Sequence, residues 1–380
     1  MFGNSQNQKA GDQSFQLSIG TNVSKTKIIK VEQDPAVTAE LINLCKKLTF
    51  DNLNHFTDIA KEIINERINH FRDDYLIPKL ETLENTINAL KDPKFQSLLS
   101  QAQKAAALND NDDGTCEEIL TELLASKVNT ISTKDKTKNI GLKKAIEAIE
   151  YLDITDISAL SFLSARWLFR NINIPLSNDY LRVYAEQINA NLEKFADYLP
   201  SDHHWIKNLN LLNLIEIHPL SKLKKFDNII VDCFPKLFSA GIKTNSADYL
   251  QAIDALKNTN HLLYFLTENQ FIDNYTIFPI LNEDHIDRIS ITFTPHDSGV
   301  CVIKSLSEKD KQALHKVINL YTNNHTDNEI VKRKVFDYLY KFKNIKHVKE
   351  WFDSINIEEG LELTSAGSAI VEANLNRLFI

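Results

Sequence analysis

Glycine is the first thing in short supply: nine in 380 residues, about a third of the ~7% usual in globular proteins. Doubly wound nucleotide-binding folds spend glycine at each phosphate turn, so the scarcity counts against them. Proline is equally sparse at nine, and helix interiors exclude both residues. The patterns G-x-x-x-x-G-K-[ST], G-x-S-x-G and G-x-G-x-x-G do not occur, which removes the P-loop, α/β-hydrolase and Rossmann readings. Cys45, Cys116, Cys233 and Cys301 form no C-x-x-C pair. Zinc ligation usually needs close pairs, so reduced, mostly buried thiols are expected. A surplus of positive charge is missing too: the formal charge of −8 gives no general drive towards DNA or anionic membranes. The most apolar stretch, Ile157 to Phe169, is short and carries Arg166, so it reads as a core helix and not a membrane span. The opening MFGNSQNQKAGDQS has neither the basic nor the apolar region of a signal peptide. The expectation is a cytoplasmic protein with no transmembrane segment and no cofactor.

What is present begins with an unusual leader. Gly3, Gly11 and Gly20 divide residues 1–30 into short units rich in Gln, Asn and Ser, and Phe15, Leu17 and Ile19 alternate as a strand would. Glycine permits the positive-φ turns between stacked short strands. Three such arcs bury too little to stand alone, so the leader is expected to order only by pairing, between copies or against a partner. Gly3, Gly11, Phe15, Leu17, Ile19 and Gly20 are the candidate oligomerisation residues; a disordered polar leader is the alternative.

From residue 34 helical spacing dominates. Asp34-Pro35 opens a helix to about Leu48. A longer one follows from Asp51, with Phe56, Ile59, Ile63, Ile64, Phe71 and Tyr75 on one stripe, and Pro78 should kink or split it. Further helices are predicted at about 93–108, 116–127, 138–151, 155–170, 178–197 and 202–213. Thr115 with Glu118 forms a predicted capping box, and Ser177 and Ser201 are predicted N-caps. Beyond Ile215 the pattern mixes. Helices at 228–238 and 247–256 precede strands at 276–281, 288–294 and 300–303, the last two a hairpin around His296 to Gly299. Helices at about 308–323, 327–342 and 345–355, a strand at 361–363 and a helix capped by Ser365 close the chain. The fold class is mainly α: a tail over 1–30, a helical domain over 34–219, and a smaller, distantly winged-helix-like α+β domain over 220–380.

Chemistry is harder to find. Asn109 to Gly114 imitates a calcium loop, but position twelve falls on Leu120, where a bidentate Glu is required. An acidic surface turn explains it. Glu62, Glu66 and His70 lie at i, i+4 and i+8 of the long helix, with Asp73 and Asp74 beyond. Di-metal bundles use such ligands on facing helices, so this face could supply half a metal site; no second Glu-x-x-His partner occurs, and a solvated polar face is the plainer reading. His296 and Asp297 are weak catalytic candidates in the hairpin turn. A restriction-type nuclease would want an acid two residues before Lys304, and Val302 stands there. Lys332, Arg333, Lys334, Lys341, Lys343, Lys346 and Lys349, interleaved with Phe336, Tyr338, Tyr340 and Phe342, could track a nucleic-acid backbone. The aromatics fall at core-facing spacing, so lysines on an outer face are the plainer reading.

Two stretches and the ending are similar to a known group. Cys116 to Ser126, then Leu142 to Leu152 with Ile157 to Leu160, resemble the helical module of bacterial abortive-infection alpha-type proteins, and Leu361 to Asn374 resembles the closing strand-helix of that group. The resemblance covers about a third of the chain and rests on packing residues, so it carries over no catalytic residues. It implies a role in defence against phage as an oligomeric sensor or effector. The leading expectation is therefore a non-enzymatic, self-associating defence protein whose partner is another system component or a phage component. A metal-dependent nuclease or a nucleic-acid-binding regulator using the C-terminal region is the alternative.

Overall fold

Local sequence rules account for most of the element boundaries. The computed structural model describes residues 15–19, 35–52, 58–109, 113–130, 135–164, 179–259, 262–280, 282, 283, 286, 289–293, 302–355 and 359–379. In chain order these form β1 (Phe15–Ile19), α1 (Pro35–Asn52), α2 (Asp58–His70), a π-helical turn (Phe71–Leu76), α3 (Ile77–Leu80), α4 (Thr86–Lys91), α5 (Pro93–Leu108), α6 (Thr115–Asn129), α7 (Lys136–Ile149) and α8 (Ile154–Leu163). Next come α9 (Tyr180–Ala196), α10 (His204–Leu211), β2 (Ile215–His218), α11 (Phe226–Cys233), β3 (Ile242–Lys243), α12 (Ala247–Lys257), β4 (Thr267–Glu268) and β5 (Tyr275–Ile277). The chain continues through β6 (Ile289–Phe293), β7 (Val302–Ser305), α13 (Glu308–Asn319), α14 (His325–Leu339), α15 (Lys343–Ser354), β8 (Gly360–Leu363) and α16 (Ser365–Phe379). The protein is mainly helical, with a few short strands in small antiparallel sheets.

Short acceptors start the helices. Asp92 Oδ1 accepts from Lys94 N at 3.0 Å ahead of Pro93, Asp135 Oδ1 from Lys138 N at 3.0 Å, and Asp153 Oδ1 from Asp156 N at 2.8 Å, each satisfying an amide that the first helical turn leaves unpaired. Ser307 and Asp310 make a reciprocal capping box on α13.

Three predicted caps fall elsewhere. Thr115 is already helical, and the residue before it is Gly114 at φ 75°, so no Thr115–Glu118 box forms; Asp113 Oδ1 accepts from Thr115 N instead, at 3.0 Å. Asp202, not Ser201, accepts from His204 N at 2.9 Å. Thr364, not Ser365, accepts from Gly367 N at 3.1 Å. Thr115 and Ser365 already lie inside their helices, and Ser201 lies three residues before the start of α10. Ser177 lies outside the described residues.

Pro78 distorts the chain before it instead of at its own position. A proline has no N–H for the carbonyl four residues back and its ring crowds that carbonyl. The helix widens ahead of it, and Ile77 N–H reaches Arg72 O, five residues back.

The chain divides into two compact units, each assembled from separated segments. The first, helical unit comprises residues 25–165, 194–224 and 354–380. Its core includes Leu41, Phe71, Leu76, Phe95, Ile119, Ile146, Phe162 and Ile370, all at 0% exposure. α16 packs against α6, α7 and α8, and β8 pairs antiparallel with β2, Ile215 opposite Leu363 and His218 opposite Gly360. The closing strand-helix therefore belongs with the helical bundle and not with a C-terminal α+β domain over 220–380, because its partners are β2 and the bundle. Gly367 permits that seat: a Cβ there would lie 2.0 Å from Leu214 O.

The second unit comprises residues 1–24, 166–193 and 225–353. It holds two three-stranded antiparallel sheets, ordered β3-β5-β4 and β1-β6-β7. The predicted β6–β7 hairpin pairing is present, with Phe293 opposite Val302, and β1 adds to its other side with Phe15 opposite Phe293. Phe336 stacks between Phe238 and Tyr340, with centroids at 4.9 and 5.6 Å. The buried Tyr321 hydroxyl donates to Phe278 O and accepts from Phe278 N, both at 2.8 Å.

Candidate ligand-binding cavity

Two of the three residues singled out on α2 share one cavity. Glu66 and His70, with Ile63 and Arg67, line one side of a space of about 310 Å³, and Asn109, Gly114 and Glu117 line the other. Glu62 does not line it, although it shares the helix. The facing carboxylate, Glu117 in the first turn of α6, is not among the residues that the sequence pattern marks. In sequence it reads as an ordinary acidic residue placed to favour a helix N-terminus. Only its tertiary setting distinguishes it.

That setting is unusual for a carboxylate. Glu117 is 8% exposed, and its Oε2 has no hydrogen-bond partner. Burial pushes its pKa above the ordinary carboxylate value, against the opposing pull of its own backbone N–H and of His70 and Arg67. The neighbouring groups are ordered by short contacts. Arg67 Nη1 donates to Ala107 O at 3.1 Å. His70 Nε2 lies 3.3 Å from Asp74 Oδ2, and its ring meets Tyr75 edge-on at 5.3 Å. Tyr75, carried on the π turn, places its hydroxyl against Gly114, where a Cβ would come within 2.4 Å of it. Burial, with Glu117 the next largest influence, raises the Tyr75 phenol above its ordinary value. Among the described residues, no three His, Cys, Asp or Glu side chains converge closely enough to hold a metal ion.

The calcium-like turn is used structurally where it is described. Asn109 Nδ2 donates to Ile149 O at 2.8 Å and Leu152 O at 3.2 Å, Asp113 receives Thr115 N, and Leu120 is wholly buried. Residues 110–112 lie outside the described residues, as do His296, Asp297, Cys301, Gly3, Gly11 and Gly20. Phe15, Leu17 and Ile19 lie in β1. Cys45 and Cys116 are buried and Cys233 is half-buried.

The basic stretch lies on α14, α15 and the turn between them. Lys332 pairs with Glu329 at 3.6 Å, Lys346 with Glu350 at 3.8 Å and Lys349 with Asp353 at 2.8 Å. Lys334 Nζ donates to Phe271 O at 2.6 Å. Arg333, Lys341 and Lys343 are exposed. The interleaved aromatics are largely inward: Phe336 is buried, and the half-buried Tyr340 donates to Asp227.

Residues 37–380 match a protein family of unknown function, and the chain belongs to that family. Nothing in that membership points to abortive infection or phage defence. No curated protein and no solved structure matches the chain. No described helix is long and apolar enough to cross a membrane.

Proposed function

We propose that this protein is a non-enzymatic, self-associating component of a bacterial anti-phage system of the abortive-infection type, acting in the cytoplasm as a sensor or effector. The defence role rests on the resemblance carried by Cys116 to Ser126, Leu142 to Leu152 and Leu361 to Asn374. Self-association rests on one structural observation. β1 comes from a leader that precedes the family-matched region and adds a five-residue strand to β6. A strand supplied through main-chain hydrogen bonds is equally acceptable from the same chain or from a second copy, and exchange of such an element is a low-cost route to oligomers. Mass in solution tests this for the full chain and for a deletion of residues 1–30. The full chain should be oligomeric and the deletion smaller in stoichiometry; two monomeric masses would end the proposal.

A second reading, contact with nucleic acid by a binding regulator or a metal-dependent nuclease, draws support from the exposed Arg333, Lys341 and Lys343. It is the weaker one, because three of the seven basic side chains already have carboxylate partners.

A further inference from the structure

We propose that the cavity between α2 and the start of α6 binds a small organic cation, with its ammonium group paired by Glu117. This inference is independent of the oligomeric defence reading. A carboxylate taken out of water is costly unless something pairs it, and buried polar atoms in folded proteins nearly always have a partner. Glu117 is more than nine-tenths buried, it lines the cavity, and Oε2 is left unpartnered. A positively charged ligand entering the cavity would supply the missing partner.

Charge and size narrow the class. Glu66 and Glu117 both line the cavity, and Asp113 and Asp74 stand beside it on the adjoining turn and π turn. Of the basic groups on that wall, Arg67 reaches to Ala107 O, and His70 lies against Asp74. The excess of carboxylates favours a cation. Among the described residues no three His, Cys, Asp or Glu side chains converge to hold a bare ion, which favours an occupant large enough to bridge the separated donors. A volume of about 310 Å³ is at the lower end for ligand pockets, which suits an alkylamine or diamine, and the carboxylates that line it disfavour the phosphates of a nucleotide. Ile63 offers an apolar wall for the alkyl portion, and Gly114 brings bare backbone to the opposite side.

Isothermal titration calorimetry of the full chain with n-butylammonium chloride and, separately, with 1,4-diaminobutane tests the assignment. Saturable binding is expected for at least one of them, weakened at least tenfold by Glu117→Gln and unchanged by Glu62→Gln, on α2 but outside the cavity. Methyl NMR provides a readout that needs no variant: the Ile63 methyl signals should shift on titration of the wild-type chain. Absence of saturable binding, equal affinity in Glu117→Gln, or binding of Mn²⁺ or Zn²⁺ with neither amine bound would each overturn the proposal.

Discussion

Replacing Asp156 by Asn should stabilise the helical unit at neutral pH, and the gain should vanish in acid. Asp156 is 6% exposed near the start of α8, where its backbone N–H is held by Asp153 and its Oδ2 accepts from Asn208 Nδ2 at 2.6 Å. Burial, followed by the charge of Asp153, raises its pKa from the ordinary 3.8 to about 6, against the hydrogen bond from Asn208. At 1.36 kcal/mol per pH unit, that difference is worth about 3 kcal/mol against the folded state once the carboxylate is ionised. The favourable field at a helix N-terminus returns ~0.3–1 kcal/mol, leaving about 2 kcal/mol. The sign follows from proton counts. Between pH 3.8 and about 6 the folded state binds more protons than the unfolded one, so stability falls as pH rises through that window. Below it Asp156 is neutral in both states and resembles Asn. Urea unfolding of the wild type and Asp156→Asn should therefore coincide near pH 3.5 and separate by about 2 kcal/mol by pH 7.5, with the variant more stable. Taking the difference cancels other titrating groups, Glu117 among them. No separation at pH 7.5, or a less stable variant, would refute the burial argument and show that the Asn208 and Asp153 contacts outweigh desolvation.

Two further outcomes follow from particular contacts. Gly367→Ala places a Cβ 2.0 Å from the backbone oxygen of Leu214, a neighbour that cannot move without shifting β2, so it should cost roughly 3 kcal/mol or more; a loss under about 1 kcal/mol by urea unfolding would mean that α16 seats differently. Charge reversal at Arg333 and Lys343 should leave single-stranded RNA binding in a salt titration weak and unaltered, whereas a steep salt slope that flattens in the variant would favour the nucleic-acid reading.

Much of the local structure was legible without coordinates. The mainly helical class followed from apolar spacing and the scarcity of glycine and proline, and a helix was expected at about 93–108, where α5 lies. Caps, periodicity and β-branched runs are determined within about four residues along the chain, so they can be read from neighbours. The sequence also excluded the glycine-motif enzymes by itself, and it marked Glu66 and His70 as one face of one helix.

Tertiary structure decided what lay beyond that range. Glu117 is far along the chain from His70, and nothing in the first turn of α6 announces that its carboxylate will be buried beside Glu66 and His70. The closing strand reads like any short strand until β2 takes it back to the helical bundle, and Gly367 acquires its meaning only from Leu214. The lysines of α14 and α15 look like a free basic face until Glu329, Glu350 and Asp353 are seen within reach. Burial and pairing depend on which distant segments meet, a property of the assembled chain, whereas helix and strand depend on the residues beside them.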